Sequence, residues 1–338
     1  MPEKTIVTID CDLIIPEGEE KVFENQHIRL EAGIECKGSL IFKSCTIEPC
    51  TNLERKRGRN GGNGRKQPAC KPRCISMGID GKLEMDECEV IHPGDDFLSS
   101  WNMIIKNTSF LISPCPDNGI GLQSVLTPCV IAAHGEAKIS DCSFVEEAGN
   151  SPQTSNLDLI RFELAKIENC TFKNITGKID VDTITDCSFT GCANIGGVDI
   201  SGSTFTDCKS VTADGGYFKN CDFIRVKGIS ALDSDIENCR FQKIRGDVED
   251  DGVVFLDDGK VTHCSFDDVE LRNSSYLIKG FGNSCVECCQ FTNCRTDRED
   301  LAICHGEVET GKLRKRWVEV DILDKDTCSG HNDVKLLG

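Results

Sequence analysis

Five aspartates recur along the middle of the chain, and carboxylates repeated in this way could do chemistry. They are Asp182, Asp199, Asp214, Asp235 and Asp258. If the fold stacked them in one column about 5 Å apart, they would repel one another, which raises carboxyl pKa values or recruits a cation such as calcium. Two such carboxylates also form the catalytic pair of a glycoside hydrolase. The alternative is a solvated acidic edge that keeps the protein soluble.

A second group of residues has the spacing of zinc ligands. A Cys-x2-Cys pair and a Cys-x2-His pair lie near the C-terminus, and a Cys-x3-Cys pair lies further upstream. The candidate ligands are Cys285, Cys288, Cys328, His331, Cys70 and Cys74. Such a zinc ion would be structural, because it would fasten one segment to another. The competing interpretation is that all six are ordinary core or cap residues and that the protein needs no cofactor.

Two histidines lie close to carboxylates in the sequence. His92 is followed by Asp95 and Asp96, and His134 precedes Glu136. Either pair could exchange protons with a substrate, although ordinary loop positions are the favoured explanation for both. The chain has no Gly-rich phosphate loop ending in Lys-Ser/Thr, no nucleophile elbow and no dinucleotide fingerprint, so these motifs assign no reaction.

The segment from Thr51 to Cys74 is basic and rich in glycine, in contrast to the acidic chain around it. It holds eight basic residues and a single acidic one. The basic residues are Arg55, Lys56, Arg57, Arg59, Arg65, Lys66, Lys71 and Arg73. They could bind phosphates, nucleic acid or an acidic partner protein. Because the segment has no aromatic residue to stack on bases, the protein partner is favoured. Alternatively, the segment is a solvated loop that folds back on the acidic fold.

The formal net charge of -18 disfavours general binding of nucleic acid or anionic lipid. No apolar run reaches the roughly 18 residues of a membrane span, and the N-terminus lacks the pattern of a signal peptide. We therefore expect a cytoplasmic protein that does not enter membranes.

An internal repeat must position all these residues. A six-residue pattern returns eleven times. It consists of an apolar residue, two further residues, Cys or a small substitute, one residue, and then Phe or an aliphatic residue. The Cys-equivalent positions are Cys45, Cys88, Thr108, Cys142, Cys170, Cys187, Ser203, Cys221, Cys239, Cys264 and Cys289. Successive positions lie 43, 20, 34, 28, 17, 16, 18, 18, 25 and 25 residues apart, which is about one coil of a solenoid with loops inserted.

Each copy predicts a short strand, because Cys and Phe alternate with a polar residue. The Asn or Asp that often precedes the Cys tolerates a left-handed backbone and predicts a tight corner. A second inward position three residues after the Phe, as in Cys192 and Cys208, predicts another corner. Frequent Val, Ile, Thr and Gly, without helical periodicity, favour an all-β solenoid whose interior holds columns of Cys and Phe.

Stacked coils place equivalent Cα atoms about 4.8 Å apart, within the range of a disulfide. Their Cβ atoms stay parallel, however, and remain too far apart for the bond. We therefore expect most of the 23 cysteines to be buried thiols.

The repeated phrase resembles the coil of right-handed parallel β-helices of the pectin-lyase-like superfamily, over roughly residues 30 to 300. The resemblance implies a right-handed, single-stranded parallel β-helix with capped ends. That superfamily includes polysaccharide lyases, glycoside hydrolases, phage tailspikes and non-enzymatic scaffolds, so the fold alone does not select a function. The signatures Asn-Thr-Asp, Gly-His-Gly and Arg-Ile-Lys do not occur, and no catalytic residue is carried over.

The expected organisation is an N-terminal cap over residues 1–30, a β-helix over 31–304 and a C-terminal cap or edge segment over 305–338. The leading hypothesis is a non-enzymatic scaffold or recognition protein that presents the basic segment to a protein partner. The alternative is a carbohydrate-active enzyme that uses the acidic residues as a cleft, with or without calcium.

Overall fold

The structure is a computed structural model, and it describes most of the repeat region. The described residues are 4–49, 75–93, 97–112, 129–147, 158–247, 253–272, 276–281, 284–296, 302–310, 313–316 and 333–335. All regular structure in them is β, in two large parallel sheets and one small sheet. Within these ranges no helix has the length and hydrophobicity of a membrane span.

Each coil contributes three strands, and successive coils pair in parallel to form three faces. Face 1 is the fourteen-stranded sheet; face 2 follows it in each coil, and face 3 returns to it. Faces 2 and 3 belong to one continuous sheet of 22 strands that bends between them. The protein is thus a right-handed parallel β-helix, as the sequence predicted.

The strands of face 1 are β1 (Thr5–Ile9), β4 (Gln26–Leu30), β7 (Thr46–Pro49), β10 (Glu89–Ile91), β13 (Ser109–Ile112), β15 (Ser143–Glu146), β17 (Thr171–Lys173), β20 (Ser188–Thr190), β22 (Thr204–Thr206), β24 (Asp222–Ile224), β27 (Arg240–Gln242), β31 (Ser265–Asp267), β35 (Gln290–Thr292) and β39 (Asp333–Lys335). Those of face 2 are β2 (Leu13–Ile15), β5 (Ile34–Cys36), β8 (Ile75–Met77), β11 (Leu98–Ser100), β18 (Lys178–Asp180), β25 (Gly228–Leu232), β29 (Val254–Asp257), β33 (Tyr276–Phe281) and β37 (Ala302–Thr310).

The strands of face 3 are β3 (Glu20–Glu24), β6 (Ser39–Lys43), β9 (Lys82–Asp86), β12 (Asn102–Lys106), β19 (Thr183–Thr185), β26 (Asp235–Glu237), β30 (Lys260–Thr262) and β34 (Cys285–Glu287). Four long strands run through faces 2 and 3: β14 (Cys129–Ser140), β16 (Asp158–Glu168), β21 (Asn194–Ser201) and β23 (Ser210–Lys219). The small sheet holds β28 (Arg245–Asp247), β32 (Glu270–Arg272) and β36 (Arg295–Thr296), and β38 (Leu313–Arg316) pairs antiparallel with β37.

The interior is a column of stacked rings behind face 1. Eight phenylalanines pair in register from coil to coil, with neighbouring ring centroids 4.3 to 5.2 Å apart and ring planes within 11°. They are Phe110, Phe144, Phe172, Phe189, Phe205, Phe223, Phe241 and Phe266. All are at most 1 % exposed, so the predicted hydrophobic column is confirmed.

Both predicted corners are also present. The residue before the Cys adopts a positive φ, as in Asn169 (53°), Asp186 (51°) and Asn238 (53°). Where that residue is Gly202, with a φ of 60°, a Cβ would overlap Oδ1 of Asp186 in the preceding coil, so a larger residue would require that carboxylate to move. The second corner follows face 1, and there Asp207 has a φ of 55°.

In the column of Cys, Ser and Thr, the γ atom of each side chain forms hydrogen bonds with the backbone, which explains why these residue types occur there. Cys170 Sγ donates to the carbonyl oxygen of Glu168 at 3.2 Å, and Ser203 Oγ donates to that of Ser201 at 2.9 Å. The γ atom also accepts the backbone N–H of the preceding coil, as Ser203 Oγ does from Cys187 at 3.1 Å. A thiol or a hydroxyl can therefore occupy this position.

Fifteen cysteines among the described residues are free thiols, in agreement with the geometry expected for stacked coils. Burial raises the pKa of the Cys294 thiol to about 11 and also raises the pKa of Cys36. These two side chains are neutral core groups near pH 7.

The expected domain boundaries fall inside the solenoid. Strands β1, β2 and β3 pair in parallel with β4, β5 and β6, so they form the first coil, and residue 30 already belongs to the second. Residue 304 lies within β37, whose first half pairs in parallel with β33. Most of the segment 305–338 lies outside the described residues.

Candidate functional site

The five aspartates do not form a single column, which corrects the possibility raised by their spacing. Asp199 and Asp235 share a ladder on face 3, but Tyr217 lies between them. Asp214 ends the face 2 part of β23, opposite Leu232.

The remaining two aspartates lie where the chain turns. Asp258 occupies a corner with a φ of 46°. Asp182 lies between β18 and β19, and its carbonyl oxygen accepts the backbone N–H groups of Val198 and Asp199, each at 3.0 Å. The offsets of 5, 4, 7, 4 and 6 residues from the Cys position thus correspond to different places in the coil.

Two of the five, Asp182 and Asp214, line one open groove together with Asp180. The groove has a volume of about 520 Å³ and extends over β18, β21 and β23 on face 2 and over the adjoining turn to face 3. Its other polar lining residues are Lys178, Asn194, Ser210 and Thr212. The lining therefore combines three carboxylates, one ammonium group, one amide and two hydroxyls.

Register explains how these side chains come to share one surface. Lys178, Asn194 and Ser210 occupy equivalent positions in three successive coils, and Asp180 pairs with Gly196. A Cβ at Gly196 would lie 2.9 Å from Asp180 Oδ1, so the glycine leaves room for that carboxylate.

Charge within the groove is unbalanced. Lys178 Nζ lies 2.6 Å from Asp180 Oδ2, so the ammonium group neutralises mainly that carboxylate. Asp182 Oδ2 accepts a long hydrogen bond of 3.4 Å from Thr183 Oγ1. With Asp214 exposed at the rim, the groove presents a negative surface to a ligand.

The groove lies at one end of a longer surface feature, which we call the bend line. This is the row of residues that joins face 2 to face 3, to which six coils contribute Ile79, Trp101, His134, Asp182, Val198 and Gly215. The coil of β16 lies between those of His134 and Asp182. Ile79 is 65 % exposed and Trp101 is 39 % exposed. The ring of Trp101 lies 5.5 Å from the imidazole of His134, at an angle of 47°.

The structure gives both histidines neighbours that the sequence did not predict, and the pairing of His92 with Asp95 and Asp96 stays a prediction. His134 Nε2 lies 3.3 Å from Ser99 Oγ, a contact between neighbouring coils. His92 Nδ1 lies 3.9 Å from Glu147 Oε2, while Asp95 and Asp96 lie outside the described residues.

The structure brings no metal site together where it can be described. Among the described residues, no group of three His, Cys, Asp or Glu side chains is arranged to hold a metal ion. Cys288 is a partly buried free thiol at a corner. Cys70, Cys74, Cys328 and His331 lie outside the described residues, as does the side chain of Cys285. The zinc hypothesis stays a prediction.

The basic segment is also untested by the structure. All eight of its basic residues lie between β7 and β8 in the undescribed range 50–74. The chain leaves face 1 at Pro49 and re-enters on face 2 at Ile75.

Sequence reasoning missed Asp180, Lys178, Trp101 and Ser99. None of them belongs to the repeated phrase, and the groove and the contacts of Trp101 and Ser99 with His134 join different coils. Only the register between coils places them together.

No protein-family model and no curated protein matches the chain. Among solved structures, the catalytic unit of a GH87 alpha-1,3-glucanase from Streptomyces thermodiastaticus is similar, with a TM-score of 0.35 and 10 % identity over 97 % of this chain. The match spans 63 % of the glucanase chain. The periplasmic alginate epimerase AlgG gives a TM-score of 0.32 and 10 % identity over 100 % of this chain and 80 % of its own. These similarities concern the fold alone.

Proposed function

We propose that the protein recognises an extended, polyhydroxylated chain, a glycan, along its bend line. The observation that carries the proposal is the alignment of an exposed aromatic platform with a polar groove on one face. Trp101 and His134 form the platform, and Asp180, Asp182 and Asp214 lie in the groove.

The two parts of this surface have the chemistry that a sugar chain requires. An exposed aromatic ring offers an apolar face to the C–H groups of a sugar ring, while carboxylates, amides and hydroxyls exchange hydrogen bonds with sugar hydroxyls. Between the coil of Trp101 and that of Gly215 there are five coil steps, or about 24 Å at about 4.8 Å per step. A chain-like ligand would span that length, whereas a single sugar would not.

The charge of the groove restricts the class of glycan. Its carboxylates would repel a polyuronate, and the chain as a whole carries a formal charge of -18. We therefore expect neutral glycans, or glycans with free amino groups, to bind in preference to uronates. The proposal concerns recognition and assigns no cleavage reaction.

Titration calorimetry with a neutral glucan, amine-bearing chito-oligosaccharides and polygalacturonate tests the proposal. Trp101→Ala should weaken binding of either preferred glycan about tenfold, equivalent to about 1.4 kcal/mol. The double variant Asp182→Asn with Asp214→Asn should weaken binding of the amine-bearing glycan more than that of the neutral one.

The matched control is the double variant Asp141→Asn with Asp186→Asn. It removes two carboxylates at the opposite corner and keeps residues that tolerate the positive φ of 56° and 51°. Its affinity should equal that of the unmodified protein. Failure of all three glycans to bind, or tightest binding of polygalacturonate, contradicts the proposal.

A second candidate function is capture of an acidic protein partner by the basic segment. The concentration of eight basic residues in a strongly acidic chain favours it. Binding of poly-glutamate to the full chain should be lost when residues 52–69 are deleted. Capture that survives the deletion would exclude this role for the segment.

A further inference from the structure

We propose that Ser99 and His134 form a nucleophile–base pair that hydrolyses small carboxylic esters. This activity goes beyond glycan recognition and does not depend on it. Ser99 Oγ and His134 Nε2 lie 3.3 Å apart, close to the separation of a serine nucleophile and its histidine base in an unliganded site.

The register of the β-helix creates this pair. Ser99 on β11 pairs with Ala132 on β14, and the alternation of buried and outward residues places His134, two positions later, on the same outer surface. From there β14 shifts register between Ala133 and Glu136 against β16. The bulge contains His134, and such bulges redirect side chains.

Two neighbouring groups hold the bulge and the imidazole. A Cβ at Gly135 would lie 2.4 Å from the carbonyl oxygen of Trp101, so the bulged backbone can pass this closely only with glycine there. The ring of Trp101 lies 5.5 Å from the imidazole of His134, at 47°, and borders it on one side. Ser99 is partly exposed and His134 is exposed, so a substrate can reach both.

The chemistry follows from these two groups. With the imidazole proton on Nδ1, Nε2 accepts the Ser99 hydroxyl proton as Oγ attacks the ester carbonyl carbon. The tetrahedral intermediate collapses, the C–O bond to the alcohol breaks, and Nε2 returns the proton to the departing alcohol. A water molecule, deprotonated by the same Nε2, then attacks the carbonyl carbon of the acyl-serine. The bond between that carbon and Ser99 Oγ breaks, Nε2 returns the proton to Oγ, and the carboxylic acid leaves.

The substrate class follows from the limited machinery. The described residues supply a dyad on an open surface, which suits an ester with an alcohol leaving group better than an amide. The open position also favours a short acyl group such as acetyl, with the alcohol part directed towards Trp101.

The test combines covalent labelling with ester hydrolysis. One equivalent of a fluorophosphonate probe should attach to Ser99, as located by peptide mass spectrometry, and the protein should hydrolyse p-nitrophenyl acetate above background. Ser99→Ala should abolish both. His134→Asn should reduce hydrolysis by about 10²- to 10⁴-fold, the usual contribution of a general base.

Ser76 provides a matched control, because it pairs with Ser99 in the adjacent coil and is exposed. Ser76→Ala should keep the label and the rate. Absence of labelling in the unmodified protein overturns the proposal. Labelling that persists in Ser99→Ala, or an equal loss in Ser76→Ala, overturns it too. Thermal denaturation of each variant confirms that the fold is intact.

Discussion

The same coils form face 1 and the bend line, but the backbone register repeats regularly on face 1 and irregularly along the bend line. Behind face 1, eight phenylalanine rings stack without a register shift, and the corner before face 1 keeps a positive φ in all eight coils. Along the bend line, the register shifts between Ala133 and Glu136 and again between Gly197 and Asp199.

This difference distinguishes the positions that stabilise the fold from the positions that can vary to bind a ligand. Within the phenylalanine column, each ring between the two ends stacks on its equivalents above and below, so a change in one coil disturbs two others. At the bend line, shifts and bulges direct side chains individually, and neighbouring coils need not agree. The exposed aromatic ring, the groove and the Ser–His pair all lie along that irregular line.

The largest expected effect comes from removing one ring of the column. Phe189→Ala should lower the free energy of unfolding by about 3 to 5 kcal/mol, because it opens a cavity between two stacked neighbours. Urea denaturation followed by circular dichroism measures the loss. Trp101→Ala, an aromatic deletion of similar size on the bend line, should change stability by less than about 0.5 kcal/mol. Equal losses in the two variants would remove the distinction between the two regions.

The sequence was sufficient to predict the regular part of the molecule. The spacing of Cys142 and Phe144, repeated coil after coil, predicted the strand, its buried face and the fold class. The Asn or Asp that precedes the Cys in many coils predicted the left-handed backbone, because few other residues tolerate it. These predictions succeeded because the repeat imposes the same contacts in every coil.

A smaller effect is expected in the thiol column, where the chain itself shows which substitutions are tolerated. Cys170→Ser should cost less than Cys170→Ala, because a hydroxyl can still donate to Glu168 and accept the N–H of Cys142, as Ser203 does with its own neighbours. Alanine leaves the buried N–H of Cys142 without its acceptor, at about 1 to 3 kcal/mol. Denaturation midpoints of the two variants under reducing conditions provide the comparison. A serine variant as unstable as the alanine variant would show that sulfur packing, not hydrogen bonding, sets the column.

The groove and the bend line could be predicted only in part. Asp182 and Asp214 were found by their recurrence, but Asp180 and Trp101 became visible only with the register. A sequence gives only the number of residues between two positions. Whether two side chains meet in neighbouring coils depends also on how many residues each coil has before its turn. The bulge at His134 shows the limit, because one extra residue decides which neighbour its side chain meets.

The smallest expected effect concerns the ion pairs at the corner after face 1, where the coils are again regular. Arg225 donates two hydrogen bonds of 2.6 and 2.8 Å to Asp207, and this lowers the pKa of the Asp207 carboxyl below its usual value. Because the folded-state pKa is depressed, the stabilisation is fully present above the unfolded value near 3.9 and is lost as the pH falls through the folded value. Both side chains are about half exposed, so solvent screening keeps the contribution of this pair to stability small. Asp207→Asn, which keeps a residue suited to the positive φ, should therefore lower the urea midpoint slightly at pH 7 and progressively less below pH 4. If the difference persisted at acidic pH, its cause would be the corner backbone and not the charge pair. In that case the packing of the interior side chains, without a contribution from this ion pair, would stabilise the regular coils of face 1.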